Sequence, residues 1–320
     1  MGDSQGAHSC LHAAERGSFA GPLPDGSSSL TSAITVLRAS FGALGVDRML
    51  LDAKAATESE PPGSPWFPAA MATLGIAHAL SGAADVAVKE LDVAVRHGRE
   101  ARPPTAAVAA LAELSLLAGE RDDWPAAEDK AGQAVDLIET IGIEEHLFSI
   151  LGYVAAARVA AHQRDQVAAW RHAGTVLRMN TTLSPAVIPW LSAQVTIALA
   201  EIFLDQGDFA AARPRAEEAG RQLAGLLTEG MLRQQLDRVL ARLVNDGGHA
   251  RIPSAMALTK AEMRVLQLLP THLSLGEIGE ELYISVNTVK AHLVAIRRKL
   301  QCSSRTEVVA RGRDLGLLRS

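Results

Sequence analysis

The sequence has few aromatic residues, two cysteines and no long uncharged apolar segment. Only 4 % of its 320 residues are Phe, Trp or Tyr, which argues against sandwiches and barrels, whose strands favour aromatic and β-branched residues. Cys10 and Cys302 stand far apart, which excludes a disulfide framework and indicates a reducing compartment. The most apolar run, 106–118, carries Glu113 and is too short to span a bilayer. The sequence also lacks a basic stretch followed by an apolar export signal, so we expect a cytoplasmic protein without a membrane segment.

Motifs for catalysis and for cofactor binding are missing as well. No G-x-x-x-x-G-K-[ST] sequence is present, which argues against a phosphate-binding P-loop, and no HExxH sequence or Ser/His/Asp set occurs. An early alternation of strands and helices with clustered acidic residues, as a phosphate-accepting receiver domain needs, is also absent. The sequence therefore predicts a protein that is not an enzyme and that carries no cofactor and no metal.

Charge is distributed unevenly along the chain, whose formal net charge is −5. Residues 251–320 contain 11 Lys and Arg against 6 Asp and Glu, whereas residues 1–250 contain 20 against 30. A small basic module attached to a large acidic one is a common arrangement for a DNA-binding domain that is joined to a regulatory domain.

The acidic part has the pattern of an array of helices. Residues 1–30 are rich in Gly, Ser and Pro and predict a disordered lead-in. From 31 to 244 apolar residues recur every three or four positions, and short polar breaks interrupt them. Four of these breaks end in an aspartate that precedes an Ala-rich stretch, at spacings of 38, 42 and 43: Asp85, Asp123, Asp165 and Asp208. An aspartate there can cap the next helix, and a period near 40 predicts a tetratricopeptide-like α-solenoid of antiparallel helix pairs. An irregular helical bundle is the alternative.

Turn-forming residues at 245–257 predict a linker, after which 258–320 forms a second all-α domain. Its pattern predicts four short helices, at about 260–269, 275–282, 287–300 and 305–315. Three of them begin with a capping box, in which a Ser or Thr is followed three residues later by Glu: Thr259 with Glu262, Ser274 with Glu277, and Ser304 with Glu307. Two short helices joined by a tight turn, the second of them longer and basic, form a helix-turn-helix pattern.

The third of these helices has two different faces. One carries an apolar stripe for packing: Val289, Leu293, Ile296 and Leu300. The other has no acidic residue and mixes polar, cationic and small apolar groups: Asn287, Lys290, Ala291, Val294 and Arg298. Lys and Asn can bond to base edges in the major groove, and Ala and Val can touch a thymine methyl group. Arg297, Arg298 and Lys299 are candidates for phosphate contacts at the far end of the helix, as is Thr288 at its start.

The same residues carry a family resemblance. The succession of motifs is Leu258-Thr259-x-x-Glu262-x-x-Val265-Leu266, Glu277-Ile278, Ile284-Ser285-x-x-Thr288-Val289-Lys290-x-His292-x-x-x-Ile296-x-x-Lys299-Leu300 and Ser304-Arg305-Thr306-Glu307. It resembles the LuxR/FixJ/NarL-type helix-turn-helix domain. The resemblance implies that the third helix enters the major groove and that the fourth mediates dimer contact on DNA. The positions that match the DNA contacts of the family are Thr288, Lys290, Ala291 and Val294.

Two positions depart from the family pattern. Gly279 stands where the family usually has Ala, which predicts a cost of up to about 1 kcal/mol for the second helix. Val294 occupies a position that is often polar, so the base preference of the family does not carry over.

The helical body resembles the tetratricopeptide-like sensor region of MalT-type regulators, without the NTPase domain that those proteins usually carry. Together the features predict a sequence-specific transcriptional regulator. Its expected partners are double-stranded promoter DNA, a second copy of the chain on that DNA, and a protein or small effector at the helical body, with RNA polymerase as a further candidate. Two alternatives are a solenoid interaction scaffold that does not bind DNA and a sigma-factor-like promoter-recognition protein.

Overall fold

A computed structural model describes residues 4–101, 103–224, 230–246 and 258–318 of the chain. All regular secondary structure in these ranges is helical, which confirms the prediction of an all-α protein. No helix within the described ranges is long and apolar enough to cross a lipid bilayer.

The helices form three groups along the chain. The first three are α1 (Ser4–Glu15), α2 (Leu30–Phe41) and α3 (Val46–Ser59). The next nine are α4 (Phe67–Leu80), α5 (Ala84–Gly98), α6 (Thr105–Glu120), α7 (Trp124–Ile141), α8 (Ser149–His162), α9 (Gln166–Met179), α10 (Pro189–Asp205), α11 (Phe209–Ala224) and α12 (Met231–Asp246). The last four are α13 (Lys260–Leu268), α14 (Leu275–Leu282), α15 (Val286–Leu300) and α16 (Arg305–Asp314).

The aspartates at the breaks cap three of the four helices that they precede. The side chains of Asp123, Asp165 and Asp208 each accept a hydrogen bond from the backbone N–H three residues further on. Asp85 does not, because α5 already begins at Ala84, so Asp85 lies inside the first helical turn. Its carboxylate instead accepts a hydrogen bond from Arg121, 2.6 Å away.

The helices from α4 to α11 pack as four consecutive pairs, α4 with α5, α6 with α7, α8 with α9, and α10 with α11. The first helix of each pair also packs on the first helix of the next pair, so these four helices are buried almost all round. The second helices bury only one stripe, which in α5 consists of Ala87, Leu91, Ala94 and Gly98. Small residues let the paired helices approach closely, since a Cβ at Gly75 would lie 2.6 Å from Leu91 Cγ.

Polar side chains inside this core are paired across the inner helices. Gln194 of α10 donates its amide to both carboxylate oxygens of Glu113 on α6, at 3.1 and 2.9 Å. Arg158 of α8 lies between Glu120 and Glu201, at 3.2 and 3.1 Å from their oxygens. Buried polar and charged groups are costly unless they are hydrogen-bonded or paired, and these contacts meet that requirement across the inner helices.

One tryptophan joins distant parts of the body. Trp190, at the start of α10, donates its indole N–H to the carbonyl of Ser40 in α2 at 3.0 Å. Its ring also stacks on Phe148, with centroids 6.5 Å apart. Helix α12 contacts both α4 and α10. Helix α12 at the end of the body is therefore in direct contact with α4 near its start, in addition to the packing of the helix pairs between them.

The N-terminal segment differs from the prediction of disorder for 1–30. Helix α1 lies within it and packs on α2, and the backbone N–H and the hydroxyl of Ser28 both bond to the Glu60 carboxylate, at 3.1 and 3.0 Å. Composition alone missed these contacts because Glu60 is distant in sequence. Of the predicted linker, residues 245 and 246 belong to α12, and 247–257 lie outside the described residues.

Candidate nucleic-acid interface

Helices α14 and α15 are joined by a tight turn whose ends are set by local signals. Helix α14 ends at Leu282 and is capped by Tyr283, which adopts the left-handed conformation with φ +56. Ser285 then caps α15, because its hydroxyl accepts a hydrogen bond from the Thr288 N–H at 3.1 Å. A Cβ at Gly279 would lie 2.8 Å from the Ile284 carbonyl oxygen, so the glycine permits the close approach of the turn to α14. This packing role accounts for a residue that weakens the helix intrinsically.

The predicted division of α15 into two faces is present in the structure. The apolar stripe is buried: Val289, Leu293, Ile296 and Leu300. The opposite face is exposed: Asn287, Lys290, Ala291, Val294 and Arg298. Val294 is 66 % exposed in spite of its apolar side chain. No residue of α15 is acidic, so the cations of the exposed face are not neutralised within their own helix.

The other three predicted contact residues are less accessible. Thr288 and Arg297 are half-buried, and the Thr288 hydroxyl lies 2.8 Å from that of Ser285. Lys299 points away from the exposed face, since its Nζ lies 2.6 Å from a carboxylate oxygen of Glu262 and its side chain is only 12 % exposed. The structure thus brings Lys299 to the junction of α13 and α15 rather than to a surface that DNA can reach.

Glu262 explains the orientation of Lys299. Its carboxylate also accepts a hydrogen bond from the Thr259 N–H at 2.7 Å, completing the capping box of α13. Burial by itself would raise the pKa of Glu262, but the hydrogen bonds from Lys299 and Thr259 hold the pKa below its usual value. Glu262 therefore stays ionised, and it neutralises Lys299 inside the domain.

The comparisons with known proteins concern this same region. The model of the family described as bacterial regulatory proteins, luxR family, matches residues 256–311. The C-terminal domain is a LuxR-family helix-turn-helix domain. The transcriptional regulatory protein LiaR of Bacillus subtilis (strain 168) is 43 % identical over 70 residues, which cover 22 % of this chain and 32 % of LiaR. The chain thus spans about a third of the length of this curated relative.

The LuxR-family domain contains one residue, Arg305, whose structural role the sequence did not reveal. Arg305, in the first turn of α16, donates hydrogen bonds to the carbonyl oxygens of Leu269, Thr271 and Leu273, at 3.0, 3.2 and 3.0 Å. It thereby holds the connection between α13 and α14 against α16. A signal was present in the sequence, because a cation is disfavoured at a helix N-terminus unless it has another role.

The third predicted capping box forms only in part. Ser304 accepts a hydrogen bond from the Glu307 N–H at 3.1 Å, as predicted. The Glu307 carboxylate, however, is bonded closely to the N–H of Ser303, at 2.8 Å, and to the Ser303 hydroxyl. A neighbouring serine therefore competes for the carboxylate that the motif assigns to the cap.

The LuxR-family domain is docked on the helical body through residues outside α15. The Gln267 amide of α13 donates to the Arg178 carbonyl at the end of α9, at 3.2 Å. The guanidinium of Arg178 donates to the carbonyl of Gly316, in the turn that follows α16, at 3.4 Å. Arg215 of α11 donates to the Leu258 carbonyl. Docking thus uses α13 and the C-terminal turn, and it leaves the exposed face of α15 open.

The closest approach in this docking interface is between two backbones. A Cβ at Gly174 on α9 would lie 2.0 Å from the Leu315 carbonyl oxygen, and one at Gly316 would lie 2.7 Å from the Arg171 carbonyl oxygen. Real Cβ atoms do not approach backbone oxygens this closely. The two glycines are therefore necessary for the turn after α16 to rest on α9.

Gly174→Ala is expected to separate the two domains while both stay folded. The added methyl group must displace a backbone, and overpacking of this kind typically costs about 1–3 kcal/mol. Small-angle X-ray scattering should show a larger radius of gyration, with an unchanged helical circular dichroism signal. Gly132→Ala on α7 is the matched control, because its Cβ would meet no atom within 4 Å. An unchanged radius for Gly174→Ala would contradict the docking interface.

Proposed function

We propose that the chain is a sequence-specific DNA-binding transcriptional regulator that inserts α15 into the major groove. The observation that carries this proposal is the exposed face of α15, which presents Asn287, Lys290 and Arg298 while the apolar stripe of the helix is buried. A helix of this kind fits the major groove, where Lys and Asn side chains can distinguish bases by hydrogen bonding. The matching family consists of bacterial regulatory proteins and LiaR is a transcriptional regulatory protein, which supports the same function.

The side chains of this face divide into two roles. Asn287, Lys290, Ala291 and Val294 lie along the N-terminal and central part of α15, where recognition helices contact base edges. Arg298, near the end of the helix, is placed for a phosphate contact that positions the domain. Thr288 and Arg297 are half-buried and belong at the edge of the interface. Lys299, which is paired with Glu262, is not assigned to DNA.

We further propose that two copies of the chain bind one site. One small domain with a single recognition helix contacts few base pairs, so a symmetric pair on two half-sites supplies the missing affinity and specificity. The side of α16 that is not buried, which includes Thr306, Ala310 and Arg313, is available for the contact between the copies. Sedimentation of the protein with a selected DNA duplex should give two chains per duplex.

The helical body is proposed to receive a protein or small-effector signal and to transmit it to the docked domain, with no catalytic step and in the cytoplasm. RNA polymerase is the further candidate partner on promoter DNA. Two experiments distinguish this proposal from the scaffold and the sigma-factor-like alternatives. The first alternative predicts no DNA binding at physiological salt, and the second predicts direct association with core RNA polymerase.

Lys290→Ala is expected to raise the Kd for a duplex selected from a random pool by about tenfold or more, since a good base contact is worth about 1–3 kcal/mol. It should also relax base preference at one position of the site. Fluorescence anisotropy at several salt concentrations measures both the affinity and its salt dependence. Lys89→Ala, which removes the same charge from an exposed position on α5, is the matched control and should leave binding unchanged.

Arg298→Ala separates the two proposed roles. It should weaken binding to all sequences alike and should reduce the slope of log K against log salt by about 0.9, as the loss of one phosphate contact requires. If Lys290→Ala and Arg298→Ala both bind the selected duplex like the unaltered protein, α15 is not the recognition helix.

A further inference from the structure

A cavity of about 400 Å³ lies at the junction of the helical body and the LuxR-family domain. Leu147, Ile150 and Met179 line it from the body, and Pro270 and Leu318 line it from the C-terminal domain. Its size falls in the range of small-molecule sites, which are mostly apolar and contain a few polar groups that orient the ligand. Any ligand bound there would contact both domains at once.

The charged groups of the cavity are an arginine and a glutamate. Arg178, at the end of α9, is held in place by its hydrogen bond to the Gly316 carbonyl, and its side chain is only 14 % exposed. Glu145 pairs with the same guanidinium at 3.4 Å, but its side chain is 48 % exposed. The cation is therefore held inside the cavity, whereas the carboxylate lies at its solvent-exposed rim.

This asymmetry decides which charge a ligand should carry. A ligand carboxylate can replace Glu145 on Arg178 and form a charge-assisted hydrogen bond in a largely desolvated position. A ligand ammonium group would instead meet a guanidinium that cannot leave. The apolar part of the lining, formed by Leu147, Ile150, Met179, Pro270 and Leu318, favours a hydrocarbon group, because a polar group placed against it would lose its hydrogen bonds to water.

We propose that this interdomain cavity binds a small amphipathic carboxylate, with its acid group on Arg178 and its hydrocarbon part against Leu147, Met179 and Leu318. The inference deepens the proposed function, on which it rests for the role of the ligand as an effector. Because the ligand contacts both domains, it favours the docked arrangement over the separated one by its difference in affinity for the two.

Octanoate is the test ligand, and isothermal titration calorimetry of the full chain measures its binding. Octanoate should bind at one site per chain, whereas octanol and octylammonium, which have the same number of carbon atoms but no negative charge, should bind at least about tenfold more weakly. This ratio is the one expected when a charge-assisted hydrogen bond of about 1.5–3 kcal/mol is lost. Equal binding of all three compounds, or no binding of octanoate, would overturn the proposal.

Variants of Arg178 and Glu145 test the role that each charge has in ligand binding. Arg178→Gln should weaken octanoate binding by about tenfold or more. It should weaken octanol binding by a clearly smaller factor, which comes only from the lost hydrogen bond to the Gly316 carbonyl. Glu145→Gln should strengthen octanoate binding by about threefold, because the ligand no longer competes with a carboxylate in a pair worth up to about 1 kcal/mol. If the pair of Arg178 and Glu145 had only a structural role, Glu145→Gln would not increase the affinity for octanoate. Arg171→Gln, at an exposed position on the same helix, is the matched control.

Two further variants test the location independently of charge. Thr182→Trp places a large ring at the mouth of the cavity, from an exposed position that tolerates it, and should block all three compounds. Gly174→Ala separates the two walls of the cavity and should abolish octanoate binding as well. Octanoate binding that survives both variants would place the ligand elsewhere.

DNA binding is measured separately on the same protein preparations. A chain that binds the selected duplex but not octanoate keeps the proposed function and loses this inference. A chain that binds octanoate with the expected variant pattern but no DNA keeps the cavity and loses the proposed function. The two failures are therefore distinguishable.

Discussion

Trp190→Ala is expected to lower the free energy of unfolding by about 3–5 kcal/mol, the usual cost of replacing a buried tryptophan or phenylalanine by alanine. Trp190 is 1 % exposed, and it fills the space between the start of α10, Phe148 and the end of α2. A Cβ at Gly42 would lie 2.7 Å from its ring, so the site is too closely packed to collapse fully around an alanine. The carbonyl of Ser40 would also lose its donor.

Urea unfolding followed by circular dichroism measures this effect, and two variants serve as controls. Trp190→Phe keeps most of the ring but removes the N–H, so it should cost only part of the full effect, with about 1 kcal/mol due to the lost hydrogen bond. Phe19→Ala, at a position that is 57 % exposed, should change stability by less than about 0.5 kcal/mol. A loss below 1 kcal/mol for Trp190→Ala would show that α10 is not held to α2 as described.

Glu113→Gln is expected to stabilise the protein above neutral pH. Burial raises the pKa of Glu113 from 4.5 to about 7, against the opposing effect of the Gln194 hydrogen bonds. Among the described residues Gln194 Oε1 has no hydrogen-bond partner, and a protonated Glu113 would supply one. A glutamine at this position can form the same reciprocal pair and never ionises.

The sign of the pH dependence follows from the raised pKa. Below pH 4.5 Glu113 is protonated in both the folded and the unfolded chain, so its own contribution to stability does not change with pH there. Between 4.5 and about 7 the unfolded chain releases the proton and the folded chain retains it, so stability falls as pH rises. The accumulated loss is about 3 kcal/mol, because stability falls by about 1.36 kcal/mol per pH unit between the two pKa values, and it stays constant above pH 7.

Urea unfolding from pH 4.5 to 8 tests this dependence. Glu113→Gln should match the unaltered protein at pH 4.5 and exceed it by up to about 3 kcal/mol at pH 8. Glu128→Gln, at an exposed position on α7, is the control and should give parallel curves. If Glu113→Gln destabilises the protein equally at both pH values, the Glu113 carboxylate is ionised in the folded chain and its pair with Gln194 has a different protonation state.

The helices of the C-terminal domain could be predicted almost to the residue because their signals are local. Thr259 and Ser274 each bond to a glutamate three positions further on, and both capping boxes form as predicted. The stripe from Val289 to Leu300 likewise follows from the helical period alone. Where a second local partner competed, as Ser303 does for Glu307, the motif misassigned the hydrogen bond.

The candidate interface was predictable as a face of one helix, but the direction of each long side chain was not. Lys299 stands among three basic residues, and the sequence offers no reason to separate it from Arg298. Its partner Glu262 lies on another helix, and only the packing of α13 against α15 brings the two together. For the same reason Arg305 was missed, since its three carbonyl partners lie in a different part of the domain.

By itself the sequence determined that the protein is helical, where the helices of the C-terminal domain and three helices of the body begin, and which side of α15 remains accessible, because caps and periodicity act within a few residues. Tertiary structure alone decided how the domains dock, through Gly174 and Gly316, and that a cavity with Arg178 at its edge lies between them. These features depend on distances between residues that are far apart along the chain. Such distances are set by the packing of whole helices, which no local pattern encodes.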